Sequence, residues 1–182
     1  MRFEPLYISQ IQFWKARQKT YRFHTLKNSN SIFLSLGTNV GDKNKNLSEG
    51  LTLLKKFVKI LSVSSVYKTE PLLYEDQEDF LNIVTEIDYQ ETAESLLLII
   101  KDIEIQMGRK QTFRYGPRII DIDIIFFKGE EINNEDLTIP HYDWHNRLFV
   151  IQPLYELLNK PLDKANYEIH EQKIIKVGKI EF

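Results

Sequence analysis

The segment that most limits how this chain can fold is residues 119–127, with the sequence Ile-Ile-Asp-Ile-Asp-Ile-Ile-Phe-Phe. Its β-branched and aromatic residues are typical of a central strand that is buried on both faces. Asp121 and Asp123 interrupt the apolar run. Residues two apart on a strand project from the same face and lie about 7 Å apart. The segment therefore predicts a central strand that carries two carboxylates on one face.

Strand and helix patterns alternate around this segment, from Ser31 onward. Apolar residues at a period of two indicate strands, and apolar residues at steps of three and four indicate helices with one buried stripe. Asp42 precedes the first helical pattern as an N-cap residue would, and Gly108 follows the second as a terminating glycine would. The predicted elements are a strand over 32–36, a helix over 43–60, strands over 62–68 and 81–88, a helix over 92–107 and the central strand over 119–127.

The order of these elements is β-α-β-β-α-β, which is typical of the split βαβ or ferredoxin-like arrangement. The sequence thus predicts an α+β fold with a ferredoxin-like core in αβα layers. Residues beyond Gly129 are expected to add C-terminal elements to that core. A length of 182 residues suits one domain of this kind. Because no stretch approaches the roughly 18 apolar residues of a membrane span, we expect no membrane partner.

The charge of the chain is divided between a basic arm and an acidic body. Residues 1–30 carry six Lys or Arg and one acidic residue, whereas the rest of the chain carries 18 Lys or Arg and 25 Asp or Glu. The arm lacks apolar periodicity and the apolar block of a secretory signal. We expect residues 1–30 to be an extension outside the core fold, with a docked segment or a targeting peptide as alternatives. Residues 31–182 are expected to form the functional domain.

The absence of cysteine from the chain limits both its chemistry and its compartment. Disulfides, thiolate nucleophiles, iron–sulfur clusters and cysteine-ligated zinc are excluded. A chain without cysteine fits a reducing compartment, so we expect a cytoplasmic protein.

Asp121 and Asp123 are candidate metal ligands. Two like charges on a mostly apolar strand are costly to desolvate unless a cation lies beside them. With oxygen ligands alone, Mg²⁺ or Mn²⁺ is favoured, and water and substrate phosphate would complete the coordination. The alternative is an edge strand whose outer face meets water. Ile125 and Phe127 are expected on the same face as the two aspartates, and they favour the metal site.

Four basic residues precede this strand without an acidic residue among them: Arg109, Lys110, Arg114 and Arg118. Guanidinium groups match phosphate oxygens in bidentate pairs, and the turn at Gly116 would aim two of them. The glycine-rich phosphate loops of nucleotide-binding proteins are missing from the sequence. For this segment alone, a solvated loop is the alternative. Together with the aspartates, it predicts a nucleotide-phosphate site built from side chains and metal.

His141 and His145 lie four residues apart, a spacing that would suit two zinc ligands on one helical face. Pro140 before them and the polar residues between them favour a turn instead. Three roles stay open for His141: a zinc ligand, a structural histidine, or a contact to phosphate or ribose. Arg147, two residues after His145, favours the last of these.

Residues 114–125, Arg-Tyr-Gly-Pro-Arg-Ile-Ile-Asp-Ile-Asp-Ile-Ile, resemble the signature of the 6-hydroxymethyl-7,8-dihydropterin pyrophosphokinases, a family of folate-biosynthesis enzymes. Other segments match the family in the same order. They are residues 36–39, 63–69, 77–82, 104–109 and 140–149. The resemblance extends over about residues 31–160 and leaves out the basic arm and the last twenty residues.

The resemblance implies an ATP- and Mg²⁺-dependent transferase that moves pyrophosphate from ATP to the hydroxymethyl group of the pterin and releases AMP. Two Mg²⁺ ions, bound by Asp121 and Asp123, would bridge the ATP phosphates. The catalytic residues that it implies are Arg109, Arg118, Asp121 and Asp123. The ATP-binding residues that it implies are Glu104, Arg109, Arg118, His141, Tyr142 and Arg147. No residue stands out as a dedicated general base, and Asp121 could accept the hydroxyl proton through water.

The resemblance also implies a pterin site formed by Leu72, Phe80, Asn82, Tyr115 and Phe149. A flat ring gains from stacking between two aromatic faces, here those of Phe80 and Phe149. Asn82 would pair with the polar edge of the ring, because an unmade buried hydrogen bond costs roughly 1–3 kcal/mol. Leu72 would contact the ring through its backbone. Tyr115, where many members carry Trp, would cap the ring.

Two other functions compete with this interpretation. An RNA-binding module of ferredoxin-like fold would use Phe80 and Phe149 to stack bases and the basic arm to bind phosphates. The acidic body and the missing RNP-type motif argue against it. A protein that binds pterin without catalysis is disfavoured by the complete set of aspartates and arginines. We expect a monomer whose partners are ATP and the pterin, without nucleic acid.

Overall fold

The structure is a computed structural model that describes residues 30–71, 76–109, 116–164, 167, 169 and 172–182. Its strands are β1 (Ile32–Thr38), β2 (Lys59–Val63), β3 (Val66–Thr69), β4 (Phe80–Asp88), β5 (Asp121–Phe127), β6 (Ile132–Asn133), β7 (Thr138–Ile139) and β8 (Ile174–Gly178). Its helices are α1 (Lys43–Leu54), α2 (Ala93–Gln106) and α3 (Leu148–Leu157), and a 3-10 turn at Trp144–Asn146 precedes α3. Residues 1–29 and the predicted site residues Leu72 and Tyr115 lie outside the described residues.

Six strands form one antiparallel sheet with the order β5-β1-β4-β3-β8. β2 pairs with the second half of β4, and β3 pairs with the first half. The sequence predicted a single strand over 62–68, but Ser64 and Ser65 interrupt it. The Ser64 hydroxyl accepts a hydrogen bond from the Val84 N–H at 3.0 Å, and the Ser65 N–H donates to Glu156 on α3 at 3.2 Å. Side-chain oxygens thus replace part of the strand ladder at this point.

β5 lies at one edge of the sheet and pairs with β1 alone among the described strands. The prediction of a central strand was therefore wrong in position. The strand is covered on both faces, and along its outer edge the His141 N–H donates to the Ile125 carbonyl at 3.1 Å. Its apolar composition reflects the two covered faces, which a sequence pattern cannot distinguish from a central place in the sheet.

The helices cover both faces of the sheet. α1 and α2 pack on one face, where Leu51 and Ile100 join a cluster with Leu36 of β1. α3 and the 3-10 turn pack on the other face, where Trp144 meets Phe126 edge-on with ring centroids 5.0 Å apart. This packing of three helices and an antiparallel sheet agrees with the predicted mixed α and β architecture. In the described part of the chain, no helix has both the length and the apolar character that a bilayer crossing requires.

The residues predicted to end the helices were identified correctly, but the predicted length of α1 was too long. The Asp42 carboxylate accepts a hydrogen bond from the Lys45 N–H at 3.0 Å, as an N-cap residue does. α1 ends at Leu54 and not near residue 60, because the Phe57 N–H donates to Leu54 three residues earlier and tightens the chain into a turn. After α2, Gly108 adopts the left-handed conformation at φ 86° that favours glycine.

A register shift opposite Phe33 and Leu34 changes which β5 side chains share a face. Ile122 and Ile124 belong to the core on the side of α1 and α2, whereas Ile125 belongs to the core on the side of α3. Phe127 returns to the side of α1 and α2. The prediction that Ile125 and Phe127 both share the aspartate face is therefore wrong for Phe127, because the bulge adds one residue to the alternation.

Candidate active site

A cleft of about 420 Å³ opens on the α3 side of the sheet, near the ends of β1, β4 and β5. The predicted site residues that line it are Phe80, Asn82, Arg109, Arg118, Asp121, Asp123, His141, Tyr142, Arg147 and Phe149. Segments that are far apart in the sequence thus meet at one place. Glu104 lies beneath Arg109 and outside the cleft lining.

Part of the cleft floor belongs to a row of paired residues that crosses four strands. Gly37 of β1 is the register partner of Asp121 on one side and of Asn82 on the other, and Asn82 is the partner of Tyr67. Directly paired residues place their side chains on the same face. A Cβ added to Gly37 would lie 3.0 Å from the Asn82 Oδ1. The glycine therefore leaves space between the carboxylate end and the amide end of the cleft.

Asp121 is bound by two arginines that flank the start of β5. Its Oδ1 lies 3.0 Å from the Arg109 Nη2, and its Oδ2 contacts the Arg118 Nη1. Glu104 on α2 pairs with Arg109 and accepts a hydrogen bond from the Ile122 N–H at 2.9 Å. Burial raises the pKa of Glu104 against the opposing effects of that hydrogen bond and of Arg109. The buried glutamate therefore orients Arg109 and fixes the backbone between the two aspartates.

Asp123 faces Arg147 and His141. Its Oδ2 lies 3.2 Å from the Arg147 Nη1 and 3.9 Å from the His141 Nε2. Burial, with the nearby charge of Asp121 as a second cause, raises the pKa of Asp123 from 3.8 to about 7. The fold thus holds a carboxylate whose negative charge is incompletely compensated, as expected where a cation or a proton is to be bound.

His141 is neutral at physiological pH. Burial, and then the charge of Arg147, lowers its pKa from 6.5 to about 4. Its Nδ1 accepts a hydrogen bond from the Asp143 N–H at 3.2 Å, which leaves Nε2 as the protonated nitrogen facing the cleft. His145 instead packs edge-on against Trp144 with ring centroids 6.0 Å apart. The two histidines therefore occupy different surroundings, and His141 offers the cleft a neutral hydrogen-bond donor.

The other end of the cleft holds the predicted pterin residues that the structure describes. Asn82 is buried, and its Nδ2 donates to the Thr69 hydroxyl at 3.0 Å. Phe80 at the start of β4 and Phe149 in the first turn of α3 are both partly buried and line the cleft. The Arg147 guanidinium lies 5.7 Å from the Phe149 ring centroid, so the aromatic end adjoins the charged end.

The sequence of this domain also matches a known family. Residues 33–159 match the sequence model described as 7,8-dihydro-6-hydroxymethylpterin-pyrophosphokinase, which spans more than half of the chain. The chain belongs to this pyrophosphokinase family. The resemblance proposed from residues 114–125 is thereby confirmed.

Relatives named as pyrophosphokinases are similar to this chain over most of its length. A 2-amino-4-hydroxy-6-hydroxymethyldihydropteridine pyrophosphokinase of Bacillus subtilis is 37% identical over 153 residues, which cover 83% of this chain and 92% of the relative. The enzyme of that name from Haemophilus influenzae is 39% identical over 129 residues, which cover 70% of this chain and 81% of the relative. Most of the length of these two relatives is therefore represented here.

Solved structures support the fold. A crystal structure of an HPPK-DHPS protein in complex with substrates superimposes with a TM-score of 0.57 at 19% sequence identity, over 77% of this chain. The match spans 42% of that longer chain. At this identity the likeness concerns the fold alone.

Two residues of this pyrophosphokinase domain were not singled out from the sequence. Asn39 is buried, and its Oδ1 accepts from the Arg118 N–H at 2.8 Å while its Nδ2 donates to the Gln77 Oε1 at 2.9 Å. Asp143 accepts a hydrogen bond from the Arg147 Nε at 3.2 Å. The i,i+4 spacing of Asp143 and Arg147 was a visible clue. The partner of Asn39 lies 79 residues away, and only the fold brings the two together.

Proposed function

We propose that the protein transfers the pyrophosphoryl group of ATP to the hydroxymethyl oxygen of 6-hydroxymethyl-7,8-dihydropterin, giving AMP and the pterin diphosphate in folate biosynthesis. One observation carries this proposal: a single cleft joins an aromatic and amide end, at Phe80 and Asn82, to an aspartate and arginine end, at Asp121 and Arg118. The first end suits a flat heterocycle, and the second suits a metal-bound polyphosphate.

The arginines are proposed to bind the ATP phosphates. Arg109, Arg118 and Arg147 all line the cleft and are partly exposed, so a ligand can reach their guanidinium groups. Each of them contacts Asp121 or Asp123, which fixes its direction before ATP binds. The family resemblance adds Tyr142 and the neutral His141 as further nucleotide contacts, and both line the same cleft.

Asp121 and Asp123 fit a Mg²⁺ site that is shared with the substrate. Among the described residues, no cluster of three His, Cys, Asp or Glu could hold a metal by itself. Mg²⁺ is usually bound by one or two carboxylates together with substrate phosphates, which matches this pair of aspartates. The raised pKa of Asp123 supports the assignment, because a cation would relieve the repulsion between the two carboxylates. We expect two Mg²⁺ ions, which when bound would neutralise charge on the phosphates.

The reaction follows from placing the two substrates end to end. The pterin hydroxyl oxygen forms a bond to the β-phosphorus of ATP, and the bond from that phosphorus to the oxygen of the α-phosphate breaks. AMP leaves, and the hydroxyl proton passes to water. Asp121, considered from the sequence as the final acceptor, already has its two carboxylate oxygens in contact with Arg109 and Arg118. The residues therefore act mainly by orientation and charge neutralisation, as in other phosphoryl transfers.

The pterin is proposed to lie between Phe80 and Phe149, with its polar edge at Asn82. Asn82 has its Nδ2 engaged by Thr69, so its Oδ1 is the atom directed toward a ligand above Gly37. Leu72 and Tyr115 remain predictions for this site because they lie outside the described residues.

We also propose the finer description of the domain made from the sequence. The strand order β5-β1-β4 followed by β2 and β3, together with α1 and α2 on one face, supports a ferredoxin-like core. Residues 31–182 would form the functional domain, with residues 1–30 outside it. We propose a cytoplasmic monomer that acts without a nucleic-acid or membrane partner.

A product assay tests the proposed function. The protein is incubated with ATP, Mg²⁺ and the hydroxymethyl pterin, and nucleotides and pterins are separated by chromatography. We expect AMP and the pterin diphosphate in equal amounts, and neither when a chelator removes Mg²⁺. Formation of ADP, or no product beside an active reference enzyme, would contradict the proposal.

A further inference from the structure

The C-terminal segment contacts both sides of the candidate pterin site, although it lies beyond residues 33–159, the part that matches the family. Gln172 makes two side-chain hydrogen bonds to the backbone next to Phe149. Two residues further on, β8 begins and pairs with β3, the strand that carries Thr69. We define residues 172–174 as the C-terminal clamp.

On one side, Gln172 holds the start of α3. Its Oε1 accepts a hydrogen bond from the Leu148 N–H at 2.8 Å, and its Nε2 donates to the Asn146 carbonyl at 2.8 Å. The first N–H groups of a helix have no partner within the helix, and Arg147 at the N-cap position supplies no side-chain hydrogen bond. Gln172 therefore acts as the cap from 24 residues away.

These two hydrogen bonds enclose the residues that face the cleft. Asn146 and Leu148 flank Arg147, and Phe149 follows Leu148 directly. Arg147 has additional partners in Asp143 and Asp123. The Phe149 ring contacts the Arg147 guanidinium and packs against the apolar cluster on the α3 side of the sheet. Its direction toward the cleft is set by the first turn of α3, whose backbone Gln172 holds.

On the other side, the clamp holds the strand end that supports Asn82. Thr69, whose hydroxyl accepts from the Asn82 Nδ2, is the register partner of Ile174 in β8. The Lys173 ammonium lies 3.2 Å from the Glu70 carboxylate, and Glu70 also lines the cleft. The stacking residue and the residue that orients the amide are thus both tied to residues 172–174.

We infer that Gln172 is a positioning residue for pterin binding, which acts through the Asn146 carbonyl and the Leu148 N–H to hold Phe149 against the ring. This inference rests on the proposed pyrophosphokinase function. It assigns to the C-terminal segment of this chain a part in substrate recognition, in addition to its place in the sheet.

The test compares three variants of the full-length protein in steady-state assays. Gln172→Ala removes both hydrogen bonds, and we expect the KM for pterin to rise about tenfold. The KM for ATP should change less than about threefold, because Arg147 keeps Asp143 and Asp123. Gln172→Glu keeps an acceptor for the Leu148 N–H and places negative charge at a helix N-terminus, so it should recover part of the loss. Ser48→Ala is the matched control, since it removes a tail contact to Glu181 far from the cleft.

Several results would overturn the inference. They are a pterin KM in Gln172→Ala within about twofold of the unsubstituted protein, an equal rise in the KM for ATP, or the same rise in Ser48→Ala. If Gln172→Ala does not fold, the dissociation constant for pterin is measured for Gln172→Glu instead. A value equal to that of the unsubstituted protein contradicts the role of Gln172. An unsubstituted protein that forms no AMP would instead contradict the proposed function itself.

Discussion

Two carboxylate clusters lie on the α3 side of the same sheet, and they differ in how their charge is compensated. Asp123 belongs to the cleft, and Glu156 on α3 lies over β3 and β8. Their side chains are similarly exposed, at 32% and 25%. The row of residues through Gly37 and Asn82 ends at Tyr67, which belongs to the second cluster. Burial acts to raise the pKa of both acids, so the donors and charges around each carboxylate have to be compared as well.

The two carboxylates differ in the donors around them. Glu156 accepts hydrogen bonds from the Ser65 N–H at 3.2 Å, the Ser65 hydroxyl at 2.7 Å, the Tyr67 hydroxyl at 2.8 Å and the Lys176 ammonium at 3.0 Å. Burial acts to raise its pKa, but these donors outweigh burial and leave the pKa below 4.5. Within the described residues, only the Oδ2 of Asp123 has ionic or hydrogen-bonding partners, and its pKa is raised.

Among the described residues, Glu156 has a full set of protein donors, and Asp123 does not. Glu156 fastens α3 to β3, and its donors come from the protein itself. Asp123 lies beside Asp121, and its raised pKa fits the proposal that a bound cation completes the compensation of its charge. The comparison teaches that one face of a sheet can hold both an acid that is fully bonded within the protein and an acid with few protein donors, which is the kind proposed here to bind a ligand.

The largest expected effect comes from Asp123→Asn. This change should lower kcat/KM by about 10²–10³-fold or more, because it removes a charge that orients Arg147 and that is proposed to hold the metal. Stability should not fall. A raised pKa means that the charged carboxylate costs stability above about pH 7 and that this cost is absent below its ordinary pKa of 3.8.

Coupled activity assays and thermal unfolding at pH 8 and pH 5 measure both effects. Asp102→Asn, on the exposed side of α2, is the matched control and should change neither. Wild-type activity in Asp123→Asn, or a large loss of its thermal stability, would remove the distinction between the clusters.

Glu156→Gln is expected to have an intermediate effect, which is a loss of stability with little change in activity. The free energy of unfolding at pH 7 should fall by roughly 1–3 kcal/mol. The ion pair with Lys176 is lost, and the three hydrogen bonds from Ser65 and Tyr67 no longer have a charged carboxylate as their acceptor. Catalytic activity should stay within about threefold, because the residues that Glu156 bonds, which are Ser65, Tyr67 and Lys176, do not line the cleft.

The lowered pKa of Glu156 determines how the stability difference between the two proteins changes with pH. A depressed folded-state pKa contributes stability that is present above the ordinary value of 4.5 and is lost as the pH falls through the folded pKa. Urea unfolding of both proteins should therefore show a constant difference from pH 6 to 8 that narrows below about pH 4.5. A difference that grows on acidification would contradict the assignment of Glu156.

The smallest expected effect concerns the boundary between the clusters. In Gly37→Ala, the new Cβ would lie 3.0 Å from the Asn82 Oδ1, so the amide must shift by a few tenths of an ångström. We expect the KM for pterin to rise by about threefold to fivefold with little change in the KM for ATP.

Gly50→Ala is the control for this substitution. Its Cβ would meet Ile120 at 3.5 Å, an ordinary contact, and alanine favours the helix by up to roughly 1 kcal/mol. It should leave both KM values unchanged. Equal changes from the two substitutions would show that the space above Gly37 is not used by the pterin.

Local chemistry explains why much of the fold was predictable. Asp42 and Gly108 mark helix ends because capping and left-handed turns depend on one or two neighbouring residues. The place of β5 was predicted wrongly, since coverage by helices on both faces gives the same composition as a central position. The bulge in β5 and the break at Ser64 and Ser65 were missed because each depends on a partner strand.

Some residues of the candidate site were likewise predictable from the sequence, and others were not. Asp121, Asp123 and Arg118 stand within six positions, so their chemistry was visible as a local pattern. Phe80 and Phe149 were assigned through the family resemblance and not through any pattern of their own. Asn39 and Gln172 act on residues far along the chain, and no spacing in the sequence reveals such pairs.

The sequence by itself determined the family, the alternation of strands and helices up to residue 127 apart from the break at Ser64 and Ser65, and the charged character of one end of the cleft. These features depend on short motifs and local periodicity. The tertiary structure decided which carboxylates are compensated, how the two ends of the cleft adjoin across Gly37, and what the C-terminal clamp holds. The physical reason is that pKa values and side-chain orientation depend on groups brought close by folding, whatever their separation along the chain.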